Sequence, residues 1–285
     1  MTGRAQPLSR REMLAGGSAA LGLLALGATP PPAITLQPGG RLTQGGWLRG
    51  KVQAGVGALS LDGRAVPFAA DGQFLIAFDR DAGPTAQLLA RLPGGASFAR
   101  DLAVAPRAWQ IENINIARRP GGMASEDYMR LRRTELARIG AARAMDTGAQ
   151  GWRQAFVRPA AGRISGRFGS QRVYRGEPAA YHSGMDIAGG EGAPILAPAD
   201  GTVILAADTP FSLEGHLLMI DHGMGLNSAF LHCSALLVRE GEAVKQGQVI
   251  GRIGHTGRAT GPHLHWSIKW RDSRLDPLLF LPGAA

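Results

Sequence analysis

The sequence holds a single cysteine, three lysines and no histidine before position 182. One cysteine excludes an intramolecular disulfide framework and any multi-cysteine zinc finger. The basic complement is therefore almost wholly arginine. The formal charge of +9 is spread along the chain, and aromatics are only 6% of residues. No basic stripe is interleaved with aromatic side chains, so nucleic acid is not an expected partner. The uncharged apolar run at residues 15–28 is 14 residues long, too short to span a bilayer comfortably as a helix. Although there are 41 Gly and 18 Pro, about a fifth of the chain, this falls short of the roughly 25–30% that marks low-complexity disorder.

The short run follows Ser9-Arg10-Arg11-Glu12-Met13-Leu14, which resembles a twin-arginine export motif with Met13 at the usual Phe position and Ala15 at the usual Lys position, departures that leave a general secretory signal as the alternative. Residues 1–28 thus read as an export signal, with small residues near Ala28 offering a cleavage site. Membrane contact is expected only through this segment, should it stay attached. Residues 29–46 are rich in Pro and Gly and read as an exposed linker, with folded structure expected from Trp47. Over 47–118, short apolar runs alternate with Asp62-Gly63, Asp71-Gly72 and Pro93-Gly94-Gly95, the pattern of a small β-sandwich of six or seven strands. Ser125 can cap a helix whose first turn carries Glu126 and Asp127. That makes 123–148 a helical linker, with Tyr128, Leu131, Ile139, Ala142 and Met145 as its apolar face and the arginines at 130, 132 and 133 in solvent.

All seven histidines lie between His182 and His265, inside a Gly-rich, strand-forming stretch that reads as a second all-β domain over 151–285. His182 and Asp186 flank Gly184, which argues against a helix there; a loop entering a strand can aim both side chains at one metal. In Pro262-His263-Leu264-His265-Trp266, strand alternation puts the two imidazoles on one face and the apolar residues on the other. His232 lies on a third run, on which alternation predicts that Phe230 shares its face. Together these segments offer four His and one Asp, of which two His with the Asp make the ligand count of a catalytic zinc site with a fourth position open. Histidines left over from ligation are candidate proton acceptors and oxyanion donors.

The runs H-S-G-M-D-I-A from His182, A-P-A-D-G-T-V from Ala197, F-L-H-C-S around His232, G-E-A-V-K-Q-G-Q-V-I-G from Gly241 and T-G-R-A-T-G-P-H-L-H-W from Thr256 resemble the lysostaphin/LytM-type zinc endopeptidases, metallopeptidase family 23. The resemblance covers roughly residues 164–281. It implies a LytM-like β domain, zinc held by His182, Asp186 and His265, and His232 with His263 as the catalytic, non-ligating pair. It also implies peptidoglycan as partner and hydrolysis of its peptide cross-links. Because some relatives of this type act as activators of amidases, a noncatalytic peptidoglycan-binding or activating role is the alternative. Cys233 replaces the family's usual Leu and reads as a small buried hydrophobe; His216 and His222 read as structural. His255 and Arg167, close to the motifs, could each meet substrate or solvent.

Overall fold

A computed structural model of the chain describes residue 2 and residues 33–116 and 125–283. Nearly all of the expected export signal, and the junction at 117–124, lie outside the described residues. Among those described, no helix is long and apolar enough to cross a membrane.

Period-two burial builds the first half. Strands β1 (Ile34–Leu36), β2 (Trp47–Val52), β3 (Ala58–Leu61), β4 (Arg64–Val66), β5 (Gln73–Ala77), β6 (Thr85–Arg91) and β7 (Ser97–Ala103) form two antiparallel sheets, ordered β1-β2-β5 and β4-β3-β6-β7. On β6, Ala86, Leu88 and Ala90 point inward between exposed neighbours, and they share a core with Leu59, Leu102, Phe74 and Ile76. The β3–β4 hairpin turns on Asp62-Gly63, both with positive φ, as a tight hairpin of this hand requires. The strand order differs from that of an immunoglobulin constant domain only in placing the fourth strand on the other sheet.

One expectation needs correction here. The segment read as linker contains β1, which pairs with β2 and buries Ile34 to 5% exposure. An edge strand of three residues needs only one ladder, so Pro-rich flanks do not preclude it.

After β8 (Ile111–Ile114) comes the helix α1 (Glu126–Arg143), followed by β9 (Arg163–Gly166), β10 (Gln171–Tyr174), β11 (Glu177–Pro178), β12 (Met185–Ala188), β13 (Pro194–Leu196) and β14 (Gly201–Ala206). The remaining strands are β15 (His216–Gly223), β16 (Leu226–Leu236), β17 (Ala243–Val244), β18 (Val249–Ile253), β19 (Leu264–Trp270) and β20 (Ser273–Leu275). The main sheet runs β17-β14-β15-β16-β19-β12-β9, with β18 joining β13 to β16 and β20 flanking β19. Among the described residues the fold is all-β with one long helix.

Both faces of the main sheet are covered. On β15, Leu218 and Ile220 enter the large core, while Leu217 and Met219 enter a smaller one beneath Ala142 of α1. Ser125 caps α1 by accepting from the Tyr128 backbone N–H at 3.2 Å. Its seating differs from the apolar face expected: Leu131 and Met145 are about half exposed, and Glu135 is buried in their stead. Arg132, expected in solvent, donates to Glu135 at 2.9 Å and to both Glu214 oxygens at 2.6 and 2.7 Å. Polar bridging thus does what apolar periodicity would otherwise do.

Candidate active site

Strand register brings the candidate residues together. Gly166 on β9 lies opposite Asp186 on β12, Asp186 opposite His265 on β19, and His265 opposite Leu231 on β16. Directly paired residues share a sheet face, so this row places Asp186 and His265 side by side. His182, in the loop before β12, closes the set. His182 Nε2 is 3.0 Å from Asp186 Oδ1 and 3.1 Å from His265 Nδ1, and His265 Nδ1 is 2.8 Å from Asp186 Oδ1. These three donor atoms form a potential metal-binding group. Their spacing approaches the roughly 3.3 Å edge of a tetrahedron with ligands about 2.0–2.1 Å from a central zinc. The donor set, two imidazoles and a carboxylate, suits zinc and leaves a fourth position for water or substrate.

The surroundings are shaped for this convergence. A Cβ at position 166 would lie 2.4 Å from Asp186 Oδ2, and one at position 184 would lie 2.6 Å from His265 Nε2, so only glycine admits the two side chains. The Arg167 carbonyl accepts from His182 Nδ1–H at 3.0 Å, which in the neutral ring leaves Nε2 as the lone-pair nitrogen facing the cluster, whereas the protonated ring donates from Nε2 to Asp186 Oδ1. Burial works against ionised Asp186, yet hydrogen bonds from His182 and His265 outweigh it and hold the carboxyl well below the usual range. Burial lowers His265, against the pull of Asp186. For His182 burial opposes, but the hydrogen bond and charge of Asp186 prevail and raise it.

Beside this cluster stand His232 and His263, their ring centres 4.9 Å apart. His232 Nδ1–H donates to the Thr256 carbonyl at 2.8 Å, and His263 Nδ1–H to the Gly261 carbonyl at 2.8 Å. A carbonyl can only accept, so both rings carry their proton on Nδ1 and keep Nε2 free. His263 Nε2 lies 3.9 Å from Asp186 Oδ1. Burial lowers the pKa of His232, favouring its neutral form. All five residues line one open groove of about 690 Å³.

The structure corrects the face assigned to His232. Phe230 belongs to the core, whereas Leu231 and His232 both line the groove. His232 has φ of +65°, a left-handed conformation rare outside glycine and concentrated at functional sites. It interrupts strand alternation and turns two successive side chains to the same side. The Glu214 carbonyl, accepting from the His232 N–H at 2.9 Å, helps hold this conformation.

Residues 180–277 match the family model described as peptidase family M23. The chain carries an M23 peptidase domain. That domain is 38% identical over 107 residues to the peptidoglycan DD-endopeptidase ShyA of Vibrio cholerae, covering 37% of this chain and 24% of the relative. It is 39% identical over 101 residues to the murein hydrolase activator NlpD of Escherichia coli, covering 35% of this chain and 26% of the relative. The chain thus matches about a quarter of the length of these curated relatives. The crystal structure of a candidate M23 peptidase from Pseudomonas aeruginosa superposes with a TM-score of 0.66 at 26% identity, over 86% of this chain and 96% of that one. Its coverage extends well beyond the M23 domain into the N-terminal strands.

The remaining histidines of the M23 domain lie outside the groove lining. His222 is fully buried between the Asp200 carbonyl and Ser228 Oγ, both at 2.9 Å, and burial lowers its pKa to about 4. His216 contacts the Ala207 carbonyl at 3.0 Å, and exposed His255 pairs with Glu191 at 2.7 Å. Cys233 is wholly buried in the core, where burial pushes its thiol up to about 12. Arg167 serves the cluster through its backbone carbonyl, which a reading of side chains alone does not reveal. Glu214 and Thr256 were likewise missed, since their contributions to His232 are also main-chain carbonyls.

Proposed function

We propose that this chain is an exported zinc metalloendopeptidase that hydrolyses peptide cross-links of bacterial peptidoglycan. The observation that carries the reading is the pairing of the His182–Asp186–His265 cluster with two further imidazoles whose Nε2 atoms are free. A protein that only bound peptidoglycan would need neither. The likeness to ShyA supports the substrate class, and the twin-arginine-like segment supports export to the periplasm or cell envelope.

His182, Asp186 and His265 would hold the metal. Bound there, zinc supplies Lewis acidity toward the scissile carbonyl and lowers the pKa of a bound water from 15.7 to about 7. His232, kept neutral by burial, accepts the proton of the attacking water at Nε2 and delivers it to the departing amine. His263, when protonated on Nε2, donates to the developing oxyanion. The carbonyls of Thr256 and Gly261 fix both rings, so little reorganisation is needed during reaction.

The likeness to NlpD favours a second reading, a noncatalytic peptidoglycan-binding protein or amidase activator. Incubation of the full chain with purified cross-linked muropeptides separates the two. The enzyme reading expects cleavage that stops on chelation, returns with zinc and is abolished in His265→Ala. Zinc-loaded protein that cleaves nothing, or cleavage unaffected by His265→Ala, overturns it.

A further inference from the structure

Behind His265 lies a second cavity, of about 370 Å³, between α1 and the face of β19 opposite the core. It shares Ser183, Glu214, Leu231 and His265 with the groove. Period two along β19 puts His265, Ser267 and Lys269 on this face, so Lys269 lies about 13 Å from His265. Arg143 from the end of α1 and Arg274 from β20 line the same cavity.

These three cations have little to neutralise them. Among the described residues lining the cavity the only acidic one, Glu214, is engaged by Arg132 at 2.6 and 2.7 Å. Among the described residues, no carboxylate lies within ion-pair distance of Arg143, Lys269 or Arg274, and Arg143 donates to the neutral Asn227 Oδ1 at 2.6 Å. Burial lowers Arg143 to about 10, with repulsion from Arg274 adding to it. Burial likewise lowers Lys269, with repulsion from Arg143 and Arg274 adding and the charges of Asp272 and Asp79 offsetting only part of it. Gathering like charges in a half-buried space is costly unless an anion joins them.

We infer that this cavity is a carboxylate subsite, taking an acidic group of the peptide that lies along β19 from the groove. The inference rests on the peptidase reading for the identity of that peptide. The bound carboxylate comes either from a peptide C-terminus or from an acidic side chain. Lys269 and Arg143 set its position, and exposed Arg274 closes the outer side. The subsite therefore selects an anionic peptide over its neutral, amidated counterpart.

The test measures binding by calorimetry to the full chain, using a soluble uncross-linked disaccharide-tetrapeptide with free carboxylates. Two further forms are amidated only at the C-terminus or only at side-chain carboxylates. The free form should bind on the order of tenfold more tightly than one of the amidated forms, and which form weakens identifies the source. Lys269→Gln and, separately, the exposed Arg274→Gln should each shrink that ratio, with thermal melting confirming the fold. Equal affinity for all three peptides, or a ratio unchanged in both variants, overturns the subsite. Cleavage plays no part in this readout, so carboxylate-dependent binding by a protein that fails to cleave cross-linked muropeptides refutes the peptidase reading alone.

Discussion

His232 shows how one backbone angle shapes the candidate site. Its positive φ turns it beside Leu231 toward the groove, while Phe230 and Cys233 stay in the core. On the proposed function, removing an imidazole that acts in catalysis but holds no metal should separate chemistry from metal binding. His263→Ala is expected to lower kcat by about 10²–10⁴-fold while zinc content, read by elemental analysis, stays near one per chain. Gly166→Ala should do the reverse, pressing a Cβ against Asp186 and weakening zinc affinity by at least about tenfold in competition with a chelator. His222 gives a stability prediction whose sign follows from its depression from 6.5 to about 4. Below its unfolded pKa the unfolded chain takes up a proton that the folded chain refuses, so stability present above about pH 6.5 falls as the pH drops toward 4. The loss should reach about 2 kcal/mol by pH 5 and about 3 by pH 4, seen in urea unfolding as a decline that His222→Asn lacks. The converging row was readable because His263, Leu264, His265 and Trp266 alternate cleanly between groove and core. The turn at His232 was not, since a left-handed residue is fixed by its partners and leaves no mark in side-chain pattern.

At the scale of elements, strands announced themselves where turn residues bounded them, as Asp62-Gly63 does for the β3–β4 hairpin. α1 announced its start through Ser125 but not its orientation. Its seating depends on Glu135, 4% exposed, which accepts from the Ser212 backbone and hydroxyl at 2.6 Å each and from Arg132. A buried carboxylate is out of place in a helical pattern only until its long-range partners are known, and Ser212 is 77 residues away. β1 was hidden for a related reason, because its pairing with β2 is invisible in a three-residue segment beside prolines. Arg132→Met removes one partner from a largely buried pair and leaves Glu135 and Glu214 short of a cation. This should cost about 3 kcal/mol. Because the Glu214 carbonyl also holds the His232 N–H, activity should fall more than stability alone explains. Melting and muropeptide cleavage, both measured well below the melting temperature, check the two effects. A variant with unchanged melting would show that the bridge contributes nothing to docking the helix.

Across the whole molecule, the N-terminal strands and the M23 domain meet through a continuous core. The described residues from 33 onward form one compact unit, and a single buried cluster runs from Ile34 and Trp47 to Trp266 and Phe280. Trp47 stacks on Phe280 with ring centres 5.0 Å apart, and its indole N–H donates to the Leu279 carbonyl at 3.1 Å. Arg107 pairs with Asp276 at 2.8 Å, and buried Arg80 donates to the Gly169 carbonyl. Arg49 reaches the Trp152 carbonyl at 2.7 Å. Such an interface couples the two halves: opening one exposes apolar area and strands buried polar groups on the other. Unfolding should therefore be one calorimetric transition, with calorimetric and van't Hoff enthalpies in agreement. Trp47→Ala should remove about 3–5 kcal/mol from that transition, through lost packing and the vacated hydrogen bond. It should lower the melting temperature of the whole unit without splitting the peak. Two resolved transitions in the unmodified chain would mean that the halves fold independently, despite the core they share.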